Sequence, residues 1–143
     1  MKRTARCLAI EDSLFDQQKI LRAASRCNLD VEIDFADTLS KGRAALAVQT
    51  YEMILLDNTL PDGRGIDLGC QLASDPRYRD VPIIMVSGWP SPFMWAKAAG
   101  SGLRVIEKNE PSYEALGARF REVFAPAEHA AANGRQPAAG TAG

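Results

Sequence analysis

The chain has 143 residues, with 17 lysines and arginines against 18 aspartates and glutamates, and 46% of its residues are hydrophobic. This length fits one domain, which can bury enough surface to fold without disulfides or a structural metal. The nearly balanced charge argues against a nucleic-acid partner. No apolar run is long enough to span a membrane, and we expect no signal peptide.

Short apolar segments alternate along the chain with longer amphipathic ones. Strands are predicted at residues 7–10, 31–35, 53–56, 83–86 and 103–106. Predicted helices begin near Leu14, after a cap at Asp37, near Gly65, at Pro92 and at Pro111. Strands that alternate with helices indicate a parallel α/β sheet covered on both faces.

Composition distinguishes the strands from one another and the domain from a tail. Residues 53–56 and 83–86 are apolar throughout, which predicts strands in the centre of the sheet, whereas residues 31–35 alternate and are typical of an edge strand. From residue 125 onward the chain consists almost entirely of alanine, glycine, proline and small polar residues. We therefore expect a domain over residues 1–124 and a flexible tail over residues 125–143.

The cysteines and the single histidine restrict the chemistry that is open to the chain. Cys7, Cys27 and Cys70 are odd in number and widely spaced, which favours a reducing, cytoplasmic location over a disulfide framework or a zinc site. His129 lies in the alanine-rich tail, so histidine-based triads and histidine-ligated metals are not expected. Carboxylates, hydroxyls and amines remain as the candidate reactive groups.

Polar residues follow the predicted strands at the edge where open α/β sheets bind ligands. In chain order these residues are Glu11, Asp12, Asp57, Ser87 and Lys108. Three carboxylates in one crevice repel each other unless a cation neutralises them, and Mg²⁺ prefers oxygen ligands of this kind. An amine and a hydroxyl beside them suit the oxygens of a phosphoryl group.

Asp57 is the predicted nucleophile of this crevice. It ends a central strand, and the turn-rich segment over residues 58–65 is expected to leave it exposed. Taken singly, Glu11 and Asp12 could instead cap the first helix, and Lys108 could be a surface lysine. Their joint placement at neighbouring strand ends favours a metal and phosphoryl site.

The order and spacing of these residues resemble the receiver domain of two-component response regulators over about residues 5–124. The resemblance is carried by Glu11-Asp12, by Asp57-x-x-Leu60-Pro61-x-x-x-Gly65, by Ser87-Gly88 and by Lys108. It implies a flavodoxin-like (βα)5 fold, a doubly wound five-stranded parallel sheet with strand order 2-1-3-4-5. A stand-alone receiver of this kind acts through protein contacts or phosphate relay.

The resemblance also implies roles for individual residues. Asp57 would accept a phosphoryl group from a histidine kinase or phosphotransfer protein, helped by Ser87 and Lys108. Mg²⁺ would be arranged by Glu11, Asp12, Asp57 and the backbone carbonyl of Thr59. The domain would catalyse only its own phosphorylation and dephosphorylation, and phosphorylation-dependent homodimerisation is left open.

Two positions depart from the family pattern. Asn109 stands where proline usually follows the lysine, and Val105 stands where many receivers carry an aromatic residue. We expect the switch and partner surface in the segment that contains Trp89, Phe93 and Trp95 instead. These rings could also simply pack on the sheet. Trp89 is further predicted to slow hydrolysis of the phosphorylated state.

Two rival functions are kept. A pseudo-receiver adaptor would retain the fold and act without phosphorylation, which the departures at Val105 and Asn109 would permit. A Mg²⁺-dependent phosphohydrolase similar to the haloacid dehalogenases would need a D-x-D motif, but Asn58 and Thr59 follow Asp57.

Overall fold

The computed structural model describes residues 4–28 and 30–124, with residues 110–113 described by their backbone alone. The predicted tail over residues 125–143, including His129, lies outside the described residues. The strands are β1 (Ala5–Ile10), β2 (Val31–Ala36), β3 (Met53–Asp57), β4 (Thr59–Leu60), β5 (Gly63–Arg64), β6 (Ile83–Ser87) and β7 (Arg104–Glu107). The helices are α1 (Leu14–Arg26), α2 (Leu39–Val48), α3 (Gly65–Ala73), α4 (Pro92–Gly100) and α5 (Glu110–Phe124), with a 3₁₀ turn at Pro76–Tyr78.

Five of the strands form one parallel sheet in the order β2-β1-β3-β6-β7. The predicted flavodoxin-like fold and its strand order are thereby confirmed, because β6 and β7 are the fourth and fifth strands of the sheet. They carry higher numbers here since β4 and β5 form a separate antiparallel pair. Every residue of β3 and β6 is buried and β2 lies at an edge, as the apolar and alternating patterns predicted.

Helices cover both faces of the sheet, and each face has its own hydrophobic core. One core joins the sheet to α2, α3 and α4 through residues that include Leu39, Leu68 and Met94. The other joins it to α1 and α5, where Ile20 and Phe120 are almost completely buried. The two cores fix the strands against the helices, so the positions of the strand ends are set by packing rather than by the loops.

Capping side chains determine where the helices begin. Ser13 caps α1 by accepting a hydrogen bond from the Asp16 N–H at 3.2 Å. The predicted cap at Asp37 was wrong: Thr38 is the N-cap of α2, and its hydroxyl accepts from the Lys41 N–H at 3.0 Å. The Asp37 carboxylate points instead to the Lys41 ammonium, at 3.0 Å.

The segment after β3 is more ordered than a turn-rich loop. β4 and β5 form a short hairpin, with Thr59 opposite Arg64. Asp62 at its tip accepts hydrogen bonds from the first two N–H groups of α2, those of Leu39 at 2.8 Å and Ser40 at 3.0 Å. These bonds hold the pKa of the Asp62 carboxyl below its usual value and fasten the hairpin to α2.

Candidate functional site

The carboxyl ends of neighbouring strands bring the predicted acidic residues together. Glu11 and Asp12 follow β1 directly, and Asp57 is the last residue of β3. These two strands pair in parallel with Ile10 opposite Leu56, so both leave the sheet at the same edge. One carboxylate oxygen from each of the three residues lies within 4.8 Å of the others. We call Glu11, Asp12 and Asp57 the acidic cluster.

Lys108 lies against the acidic cluster. Its backbone N–H donates to the carbonyl of Ser87 at 2.8 Å, which fixes the point where its side chain begins. Its Nζ lies 2.6 Å from Glu11 Oε1 and 3.1 Å from Asp57 Oδ1. The same Nζ donates a hydrogen bond of 2.9 Å to Asp16 Oδ2. One ammonium group therefore pairs with three carboxylates.

Burial dominates the electrostatics of the acidic cluster. Glu11 is 2% exposed and Asp57 is 6% exposed. Burial raises the pKa of both carboxyl groups above their usual values, although Lys108 opposes the shift. Burial alone would lower the pKa of Lys108, but its contacts with Glu11 and Asp16 outweigh burial and leave that pKa raised. The cluster carries more negative charge than one ammonium can neutralise.

The donor set of the acidic cluster fits a hard divalent cation. All three side chains offer carboxylate oxygens, the ligands that Mg²⁺ prefers, and Asp12 is exposed to water that can complete an octahedral shell. Glu11 Oε1 is buried, and its contact among the described residues is the ion pair with the Lys108 ammonium at 2.6 Å. A buried oxygen in this state has a lone pair that is suited to a metal ion.

The backbone around Asp57 is held by the motif residues that follow it. The Asn58 carbonyl accepts from the Gly65 N–H at 2.9 Å, and its side-chain Oδ1 accepts from the Ile66 N–H at 3.0 Å. A Cβ atom at Gly65 would lie 2.0 Å from the Asp57 carbonyl oxygen, so only glycine fits there. The expectation that this segment leaves Asp57 exposed was wrong, because Asp57 is only 6% exposed, and Gly65 at the start of α3 lies directly against its carbonyl.

Ser87 and Thr59 lie beside the acidic cluster. Ser87 is buried at the end of β6, where it lies opposite Glu107 of β7 and one residue beyond the Val86–Asp57 pair. Thr59 begins β4, and its backbone N–H hydrogen-bonds to the Asp57 carboxylate and works against the raised pKa of that group. Use of the Thr59 carbonyl as a metal ligand stays a prediction.

The aromatic segment, residues 89–95, lies after β6 and outside the acidic cluster. Trp89 is 94% exposed, Phe93 is 63% exposed and Trp95 is 42% exposed. Ser91 caps α4 within this segment by accepting from the Met94 N–H at 3.1 Å. Packing on the sheet therefore does not account for Trp89 and Phe93, and their contact with a partner stays a prediction.

Sequence reasoning missed Asp16, the third carboxylate on Lys108. Asp16 lies in the first turn of α1 rather than at a strand end, so a search of strand ends did not include it. A signal was nonetheless present, because Ser13 is a typical cap and an acidic residue three positions later belongs to the same first turn. That turn begins directly beside Glu11 and Asp12.

Comparison with known proteins identifies the family. A model described as the response regulator receiver domain matches residues 8–115, which is more than half of the chain. The chain belongs to this family. Receiver domains act as phosphoacceptors in two-component signalling, typically bind Mg²⁺ at an acidic pocket and interact with kinases or phosphotransfer proteins.

Solved structures agree with the receiver fold. The phosphorylated cyanobacterial phytochrome response regulator RcpA is 17% identical over 85% of this chain and 94% of that chain, with a TM-score of 0.74. The Mn²⁺-bound response regulator Rcp1 is 16% identical over 82% and 92%, with a TM-score of 0.70. A CheY-like receiver domain protein from Methanospirillum hungatei JF-1 is 23% identical over 85% and 94%, with a TM-score of 0.67. At these identities the likeness shows the fold alone.

No curated protein matches the chain significantly. Among the residues that the structure describes, no helix is both long enough and apolar enough to cross a membrane.

Proposed function

We propose that this receiver domain is a phosphorylatable switch whose phosphoacceptor is Asp57. The donor is a histidine kinase or phosphotransfer protein, and the reaction depends on Mg²⁺. The observation that carries the proposal is the position of the Asp57 carboxylate, which lies in the acidic cluster with its Oδ1 3.1 Å from the Lys108 ammonium. An oxygen nucleophile, a cation site and a fixed positive charge are the components that phosphoryl transfer requires.

The metal would be held by Glu11, Asp12, Asp57 and the carbonyl of Thr59. Bound there, Mg²⁺ supplies positive charge that offsets the carboxylates and the oxygens of the incoming phosphoryl group. The excess of carboxylates over ammonium groups supports this assignment, as does the burial of Glu11 Oε1, which lies 2.6 Å from the single ammonium of Lys108.

The residues of the chain have separate parts in the transfer. An Asp57 carboxylate oxygen forms a bond to phosphorus while the bond between phosphorus and the donor histidine nitrogen breaks. Lys108 stabilises the negative charge on the phosphoryl oxygens, and the Ser87 hydroxyl donates a hydrogen bond to one of them. Because the Lys108 N–H is bonded to the Ser87 carbonyl at 2.8 Å, these two residues form one side of the pocket.

The output is proposed to pass through the aromatic segment. Trp89 follows Ser87 by two residues, so a shift of Ser87 towards a new phosphoryl group displaces the backbone that carries Trp89. The exposed rings of Trp89, Phe93 and Trp95 then change their presentation to a partner with an apolar surface.

Intact-mass measurement after incubation with acetyl phosphate tests the proposal. We expect wild type to gain one phosphoryl group only when Mg²⁺ is present, and Asp57→Asn to gain none. Asp67→Asn is the matched control, since Asp67 is an exposed aspartate paired with Lys97 on the protein surface. It should be phosphorylated as wild type is.

The same measurement separates the alternative function. Absence of a gain in all three proteins would refute the phosphoacceptor role and favour a pseudo-receiver adaptor that acts unmodified. A gain in Asp57→Asn equal to that of wild type would place the acceptor elsewhere.

A further inference from the structure

Asp16 is the one carboxylate on Lys108 that does not belong to the acidic cluster. Its Oδ2 accepts a hydrogen bond from Lys108 Nζ at 2.9 Å, and its side chain is largely buried. The group of carboxylates close enough to share one ion consists, in the described part of the chain, of Glu11, Asp12 and Asp57. Asp16 therefore acts on the ammonium group and not as one of the three clustered carboxylates.

The position of Asp16 is fixed through the backbone of the site itself. Its N–H donates to the Ser13 hydroxyl at 3.2 Å, and the Ser13 N–H donates to Glu11 Oε2 at 3.0 Å. The Gln17 side chain also donates to the Glu11 carbonyl, at 2.8 Å. The first turn of α1, which carries Asp16, is thus tied to Glu11 by hydrogen bonds.

Lys108 and a divalent cation compete for the same oxygens. Lys108 Nζ contacts both Glu11 and Asp57, two of the three residues that would hold Mg²⁺. A bound cation takes those oxygens and repels the ammonium group. Asp16 is then the remaining carboxylate in contact with Lys108, and it lies at the margin of the pocket.

We propose that Asp16 is a positioning residue that holds Lys108 beside the pocket when Mg²⁺ occupies the acidic cluster. The inference rests on the proposed function and extends it to a residue outside the motif of the family. Without Asp16, Lys108 stays on Glu11 and Asp57 and opposes the entry of the cation. Asp16 thereby favours metal binding without ligating the metal.

The test is a double-mutant cycle with Mg²⁺ affinity as its readout, measured by isothermal titration calorimetry on the full chain. Asp16→Asn should weaken Mg²⁺ binding by about tenfold or more, the lower end of the contribution of a hydrogen bond to a charged group. Lys108→Met should tighten it, because the competing ammonium is gone. In the Lys108→Met background, Asp16→Asn should change the affinity by less than about twofold.

Two further variants control for structure. Asp16→Glu keeps the charge and can still reach Lys108, so its affinity should return to within about twofold of wild type. Asp16→Ala, measured in the same cycle, lacks the amide group that Asp16→Asn introduces. Circular dichroism establishes that each variant is folded.

The possible results distinguish failure of the positioning role from failure of the metal requirement. Equal weakening by Asp16→Asn in both backgrounds would mean that Asp16 attracts the cation directly, which overturns the positioning role. No weakening in either background overturns it as well. If wild type itself binds no Mg²⁺, the metal requirement of the proposed function fails together with this inference. Wild-type binding with an unchanged Asp16→Asn affinity refutes the inference alone.

Discussion

The acidic cluster and the aromatic segment both reverse the usual distribution of side chains, but in opposite directions. Two of the three carboxylates of the cluster, Glu11 and Asp57, are buried, whereas the aromatic segment exposes large rings, with Trp89 almost fully in solvent. The buried charge is compensated within the chain by Lys108, whereas the Trp89 ring has little covering it among the described residues. The proposed reaction of the cluster with a small phosphodonor therefore requires no second protein, whereas the proposed role of the aromatic segment requires a partner.

The largest effect is expected where the internal compensation is removed. Lys108→Met leaves Glu11 and Asp57 buried without their cation, so we expect the free energy of unfolding in metal-free buffer at pH 7 to fall by about 3 kcal/mol. Because burial raises the pKa of both carboxyl groups, the folded variant binds protons more readily than the unfolded chain. Its stability should accordingly recover as the pH is lowered towards 5, as urea unfolding at both pH values would show.

Lys97→Met is the matched control for that prediction. Lys97 also forms an ion pair, with Asp67 at 2.7 Å, but on the surface of the protein. Its removal should cost less than about 1 kcal/mol. Equal losses for the two lysines would contradict the view that the acidic cluster is compensated chiefly by Lys108.

A smaller loss of stability is expected when the contact between Gly65 and the Asp57 backbone is disturbed. Gly65→Ala places a Cβ atom against the Asp57 carbonyl oxygen, where only 2.0 Å is available, and the backbone must shift. We expect a loss of about 2 kcal/mol in urea unfolding and a slower phosphorylation by acetyl phosphate. Gly100→Ala is the control, because a Cβ atom there meets nothing within 4 Å. A stable, fully active Gly65→Ala would show that the strand end is less rigid than the contact implies.

The attachment of the hairpin to α2 should contribute less to stability, and this contribution should depend on pH. Asp62→Ala removes the acceptor of two α2 N–H groups, so its thermal midpoint should lie below that of wild type at pH 7. The folded-state pKa of Asp62 is lowered, so the stabilisation is complete above the unfolded pKa and is lost as the pH falls through the folded value. The two midpoints should therefore converge in acid. A difference that stays constant down to pH 2 would contradict this assignment.

The sheet and the strand-end residues could be predicted because both depend on simple patterns. Uniformly apolar runs identified the interior strands β3 and β6, and the topology of a parallel sheet places their following residues at one edge. Glu11, Asp57 and Lys108 could therefore be grouped before any coordinates were known. The hairpin could not, since strands of two residues such as β4 have no periodicity to detect.

The misses share a physical cause. Asp37 and Thr38 are both capable caps, and the choice between them depends on the backbone angles of Thr38. The contact between Asp16 and Lys108 depends on the rotation of α1 and the direction of a long side chain, which sequence spacing does not encode. The burial of Asp57 depends on Lys108 and Glu11, which reach it from other strand ends. Each of these features is decided by packing.

A substitution in the aromatic segment is expected to have the smallest effect on stability. It should instead change the lifetime of the aspartyl phosphate. Trp89→Ala should change the free energy of unfolding by less than about 0.5 kcal/mol, because the indole is 94% exposed. Trp89 follows Ser87 by two residues, and we predict that its ring restricts the access of water to phosphorylated Asp57. We expect the aspartyl phosphate of Trp89→Ala to hydrolyse several times faster, as followed by intact mass over time.

Phe93→Ala, which removes another exposed ring farther from Ser87, should leave the lifetime unchanged. An unchanged lifetime in Trp89→Ala would confine the aromatic segment to partner binding, whereas a shortened one would give it a second role in timing the switch.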